Sequence, residues 1–175
     1  MGKDVIIACD FNNKEETLRF LDLFDESIFV KIGMELFYSE GPQIIKEIKN
    51  RGHKIFLDLK LCDIPNTVEK AMKSLSRLDI DMCNVHAFGT KVMMEAAIRG
   101  ITREDGKRQL LIAVTQLTST SEERMKDELL INRPIDEVVI HYAKNSKEAG
   151  LDGVVCSPLE AGKVKASCGT DFLTI

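Results

Sequence analysis

Short apolar runs of four to six residues, rich in Ile, Val, Leu and Phe, recur along this chain at 5–9, 28–32, 54–59, 82–86, 110–115, 153–156 and 172–175, and longer amphipathic stretches fall between most of them. Short apolar runs bounded by turn residues read as strands buried on both faces, and stretches with a 3.6-residue apolar period read as helices. Strands that alternate with helices pair in parallel through right-handed crossovers, which confines the chain to the α/β class. Helices are expected over 13–24, where Leu18, Leu21 and Phe24 share a side, and over 42–50, where Ile44, Ile45 and Ile48 do so before a stop at Gly52. Asn66 and Glu69 have the spacing of a capping box for a helix running to Leu78. Further helices are expected over 89–99 and 134–148, the second closed by Gly150, with a short one at 122–130 inside the polar stretch 118–133. No low-complexity linker divides residues 1–175, so a single domain is expected.

Two folds fit this alternation, an open doubly wound sheet and a TIM-type (β/α)8 barrel. The position of the polar residues favours the barrel: Asp10, Lys31, Asp58 with Lys60, His86, Thr115 and Ser157 each lie at or just past the carboxyl end of a different strand. A barrel gathers those ends at one mouth, whereas an open sheet spreads them along an edge. No G-x-G-x-x-G or Walker sequence follows any strand, which removes the commonest use of the open sheet.

The net charge of −4, with Lys and Arg spread along the chain, argues against a nucleic-acid or membrane surface. No apolar run approaches the roughly 20 residues of a membrane span, and Met1-Gly2-Lys3-Asp4 leads into a strand rather than a signal peptide, so a cytoplasmic protein is expected. The five cysteines, Cys9, Cys62, Cys83, Cys156 and Cys168, form no C-x-x-C pair and are read as reduced thiols, with Cys62 a filler beside the charged cluster.

That cluster lies in FLDLKLCDIPNTV, residues 56–68, where an apolar run ends in Asp58, Lys60 and Asp63. Residues two apart on a strand project to the same face, about 7 Å apart along the backbone, so Asp58 and Lys60 are expected to point together. Charges at the apolar end of a strand are costly to desolvate unless they pair, and carboxylates with ammonium groups there suit a binding site better than a core. Lys31, between Val30 and Ile32, must also snorkel or pair, and Asp58 and Asp63 are its natural partners. Asp10 alone would read as a cap for the helix near Asn13, His86 as a hydrogen-bonded imidazole as readily as a ligand contact, and Thr115 and Thr118 as groups that satisfy loop backbone.

Taken together, DLKLCDIPNTV, FVKIGMELFYSEGP, NVHAFG and LLIAVTQLTSTS resemble the bacterial orotidine 5′-monophosphate decarboxylase family from residue 4 to the last residue. The resemblance implies a TIM-type barrel acting as a homodimer, and loss of CO₂ from orotidylate to give uridylate, with no metal and no cofactor. It implies that Lys31, Asp58 and Lys60 form a charged network, with Lys60 the proton donor, and that Asp63 completes the network of the neighbouring subunit. It further implies that Asp10 binds ribose hydroxyls, that Ile64 and Thr67 reach across the dimer, that Thr118 contacts the pyrimidine and that His86 lies near the nucleotide.

Barrels of this kind run from about 200 residues upward, while these 175 stop within the seventh apolar run, before the family's phosphate-binding arginine. The expectation is therefore an incomplete barrel of about seven strands. Two alternatives accompany it. A magnesium-dependent sugar-phosphate lyase of the same superfamily, such as 3-keto-gulonate 6-phosphate decarboxylase or hexulose phosphate synthase, shares D-x-K-x-x-D, but its pattern has an acidic metal ligand where this chain has Lys31. The other is an inactive scaffold or dimerisation partner.

Overall fold

A computed structural model describes residues 5–175; residues 1–4, expected to lead into the first strand, lie outside them. Seven parallel strands follow one another in chain order: β1 (Ile6–Ala8), β2 (Phe29–Gly33), β3 (Lys54–Leu61), β4 (Met82–His86), β5 (Leu110–Val114), β6 (Gly153–Val155) and β7 (Leu173–Thr174). Each pairs only with its neighbours in sequence, and among the described residues β1 and β7 do not pair with each other. The sheet is thus the curled sheet of a (β/α)8-type barrel with an open seam, the architecture expected.

Around it lie α1 (Lys14–Leu21), α2 (Met34–Glu40), α3 (Gln43–Asn50), α4 (Pro65–Leu75), α5 (Thr90–Ile101), α6 (Glu122–Asp127), α7 (Ile135–Glu148) and α8 (Pro158–Cys168). Two of these, α2 and α8, were not expected, since α2 follows β2 without a turn and the α8 sequence PLEAGKVKASC has little apolar patterning. The expected capping box at Asn66 does not form. The helix instead begins at Pro65, whose fixed φ suits a first turn, with Ile64 as its N-cap. A capping box does form at α8: Glu160 accepts from the Ser157 backbone at 2.9 Å while the Ser157 hydroxyl accepts from Leu159. Ser157 is therefore a helix cap.

The large core lies between sheet and helices, and a smaller one fills the barrel interior. Each strand gives one side chain to the smaller core: Ile6, Phe29, Phe56, Met82, Ile112, Val155 and Leu173. Because strand side chains alternate, the residues two further along β2, β3 and β4 stand above this apolar floor on the same inner face. They are Lys31, Asp58 and Asn84.

The amino-terminal rim carries structural ion pairs. Asp81 accepts from the Ile55 backbone at 2.8 Å and Lys49 Nζ at 3.0 Å. Asp152 accepts from the Leu111 backbone at 2.7 Å and is held by both Nη atoms of Arg108. In each case a carboxylate just ahead of one strand ties down the start of the strand before it. On the outside, α4 and α5 approach closely at Gly100, where a Cβ would come within 2.2 Å of the Glu69 carbonyl oxygen.

Candidate active site

At the carboxyl end of the strands, Asp10, Lys31, Asp58 and Lys60 form one chain of alternating charge. Lys31 Nζ lies 3.0 Å from Asp10 Oδ1 and 3.7 Å from Asp58 Oδ2, and Lys60 Nζ lies 2.8 Å from Asp58 Oδ1. The four come from β2, β3 and the segment following β1, so the adjacency of three strand ends assembles them. Asp58 is the most enclosed, with its side chain 11% exposed, whereas Lys60 is 26% and Lys31 23% exposed. A carboxylate this enclosed is costly to desolvate unless its oxygens are satisfied. Here they are, by two ammonium groups and by the Asn84 amide, which donates to Oδ1 at 2.6 Å.

The two lysines leave their ammonium hydrogens partly free toward the mouth. Each ammonium carries three donors, and among the described residues Lys60 has one side-chain ion-pair partner, Asp58. The array can thus present positive charge to an anionic or polarised ligand and transfer a proton from Lys60, while Asp58 holds that amine in place.

Simple alternation does not produce this geometry. Leu57 of β3 faces Cys83 of β4, but Leu61 faces Val85, so the register slips by an irregularity spanning Asp58 to Lys60. Lys60 has φ of +52°, the left-handed region in which a side-chain-bearing residue costs roughly 1–2 kcal/mol. The Lys60 backbone N–H donates to Asn84 Oδ1 at 2.7 Å. Bulges of this kind re-aim side chains beside active sites.

His86 lies at the end of β4, half-buried, with its ring centroid 4.9 Å from that of Phe88. Burial holds its imidazole below the usual value, the positive charge of Lys60 lowers it further, and Asp58 opposes both. His86 is therefore biased toward the neutral form.

Asp63 is exposed and accepts from the Ile64 backbone at 2.7 Å, so within this chain it joins neither Lys31 nor Lys60. Ile64 is 67% exposed, and Thr67 is exposed in the first turn of α4. Thr118 sits exposed on the loop after β5, at the same end of the barrel as Lys60. Thr115 is buried and donates to the Val155 carbonyl at 3.0 Å, a structural bond.

Cys62 is exposed and so fills no gap in the core, which corrects the expectation for it. Partial burial and the neighbouring Asp63 push its thiol up, away from thiolate chemistry. Burial pushes Cys9 and Cys156 to about 11 and Cys83 to about 12, and all five cysteines are free.

The site residue that sequence reasoning missed is Asn84, 1% exposed inside β4. The available signal was an amide in the middle of the apolar run MCNVH, in phase with Met82 below it. A buried amide must find partners.

Residues 3–175 match the family described as orotidine 5′-phosphate decarboxylase / HUMPS. The orotidine 5′-phosphate decarboxylases of Bacillus cytotoxicus and Bacillus mycoides are each 57% identical over 179 aligned residues, which take in 100% of this chain and 75% of the relative. Among solved structures, one titled an uncharacterized conserved protein from Geobacillus kaustophilus superposes with a TM-score of 0.93 at 54% identity, covering 97% of this chain and 80% of that one. Orotidine 5′-phosphate decarboxylase from Lactobacillus acidophilus superposes with a TM-score of 0.92 at 42% identity, covering 99% of this chain and 80% of that one.

Proposed function

The chain belongs to the orotidine 5′-phosphate decarboxylase / HUMPS family, and from that premise we infer that it releases CO₂ from orotidine 5′-monophosphate to give uridine 5′-monophosphate. It is a carboxy-lyase of UMP biosynthesis. The observation that carries the reading is the chain of alternating charge from Lys31 through Asp58 to Lys60 at the mouth of the barrel.

Loss of CO₂ leaves an electron pair on a ring carbon of the pyrimidine. An ammonium already in place stabilises that pair and supplies the proton that replaces the carboxyl group, and Lys60 is that group. At about 4 Å and an effective dielectric near 20, such a contact is worth roughly 4 kcal/mol, or about a thousandfold in rate. Asp58 holds Lys60 at 2.8 Å, while Lys31 balances Asp58 and Asp10. The remaining barrier lowering comes from binding energy gathered at parts of the substrate away from the reacting carbon.

Asp10, its side chain 69% exposed at the rim, is assigned to the ribose hydroxyls, Thr118 to the pyrimidine and His86 to the nucleotide. Asp63, Ile64 and Thr67 share one exposed segment after β3 and are assigned to the neighbouring site of a homodimer.

Spectrophotometric turnover of orotidylate by the purified chain tests the reading. Activity that survives EDTA and falls at least a thousandfold in Lys60→Ala is expected. Turnover abolished by EDTA and restored by Mg²⁺, or unchanged in Lys60→Ala, refutes it.

A further inference from the structure

Between Leu57 and Leu61 the two central strands fall out of step. Leu57 stands opposite Cys83 and Leu61 opposite Val85, so Asp58, Leu59 and Lys60 share the single residue Asn84 as their counterpart. In a regular ladder the N–H of residue 60, in phase with that of Lys54, which donates to Ile28 ahead of β2, would turn away from β4; the slip turns it toward β4. The Asn84 side chain supplies the acceptor at 2.7 Å, and its Nδ2 donates at 2.6 Å to Asp58 Oδ1, the oxygen that also holds Lys60 Nζ at 2.8 Å. A carboxamide is the short side chain that joins an acceptor and a donor in one planar group, and both are used here. Asn84 is 1% exposed, so water does not compete for either bond.

We infer that Asn84 is a positioning residue for the decarboxylation: through one rigid amide it fixes both the left-handed turn at Lys60 and the orientation of the Asp58 carboxylate, and so sets where the ammonium stands. This rests on the decarboxylase reading. Asn84 lies beneath the charged pair and acts through it, without touching the substrate.

The test compares orotidylate turnover, KM and melting temperature in the wild type, Asn84→Ala and Asn84→Asp. In N84A, kcat falls about 10–100-fold while KM stays within about threefold, as expected when a reacting group is misplaced by about an ångström. N84D keeps an acceptor for the Lys60 N–H but sets a carboxylate against Asp58. Protonation restores the donor, so kcat in N84D recovers as pH falls, a limb absent from N84A and the wild type. The titratable groups around position 84 are Asp58 and Lys60 on β3, Lys31 on β2 and His86 on β4 itself; on β5 its neighbour is Ile112, which is apolar.

A kcat in N84A within twofold of wild type overturns the inference, as does an N84D pH profile that parallels that of N84A. Should N84A fail to fold, N84D, which matches asparagine in shape, carries the test. A wild-type chain that does not turn over orotidylate instead overturns the decarboxylase reading. In that case a crystal structure of the N84A variant decides the geometric claim, which fails if Lys60 keeps both its positive φ and its contact with Asp58.

Discussion

Replacing Lys60 by glycine and, separately, by alanine isolates the backbone strain at the site, because the two variants lose the same ammonium. Lys60 sits at φ of +52°, where a Cβ-bearing residue is disfavoured by about 1–2 kcal/mol and glycine is not. Glycine also loses more chain entropy on folding, which offsets about 0.4–1 kcal/mol of that relief. The net expectation is that K60G is about 0.5–1 kcal/mol more stable than K60A, or about 1–4 °C in melting temperature for a domain of this size. At an extended position the sign reverses, and Lys54, exposed at the start of the same strand, serves as the control: K54G should be less stable than K54A. Urea denaturation followed by circular dichroism measures both pairs. Equal stability at position 60, or an advantage for alanine, refutes the claim that catalytic geometry is held there against backbone preference. Both K60 variants should lose turnover at least a thousandfold, so K60G would trade activity for stability.

Further outcomes are expected at other positions. Because the folded state holds the His86 imidazole below the usual 6.5, the unfolded chain binds a proton first as pH falls. Its contribution to stability is therefore complete above about pH 6.5 and is lost progressively below it, and pH-dependent urea midpoints should show a shallower acid slope in His86→Gln. Asp152→Ala strands the Leu111 N–H and leaves the Arg108 guanidinium only the Gln109 and Gly150 carbonyls, and should cost about 1–3 kcal/mol in urea, with no measurable loss pointing to water as a sufficient substitute. Gly100→Ala places a methyl against the Glu69 carbonyl and should destabilise by about 1–3 kcal/mol in the same assay. Asp58→Asn leaves Lys31 and Lys60 facing each other without the carboxylate between them, and kcat should fall at least a hundredfold with the fold retained by circular dichroism.

The strand pattern was legible because each buried strand announces itself as a short apolar run, and the polar residues that end those runs, Asp10, Lys31, Asp58 and Lys60, do meet at the mouth. What the sequence concealed were features set by register rather than by local preference. The slip opposite Asn84 depends on how β3 and β4 align, and no residue type in DLK marks it. Asn66 carried a plausible capping signal, yet Pro65 one position earlier set the helix start. Helix α8 escaped notice because its exposed residues outnumber its buried ones, Val164 and Cys168. Ser157, similar in position to the polar residues of the candidate site, proved to be its cap.

The ring of Ile6, Phe29, Phe56, Met82, Ile112, Val155 and Leu173 has an electrical consequence for what stands on it. Hydrocarbon polarises weakly, so field lines from the lysines are turned away from the floor and leave through the opening, where an incoming anion would feel them first. Seven greasy side chains that hold no charge thus act as the insulating backplate of an electrode.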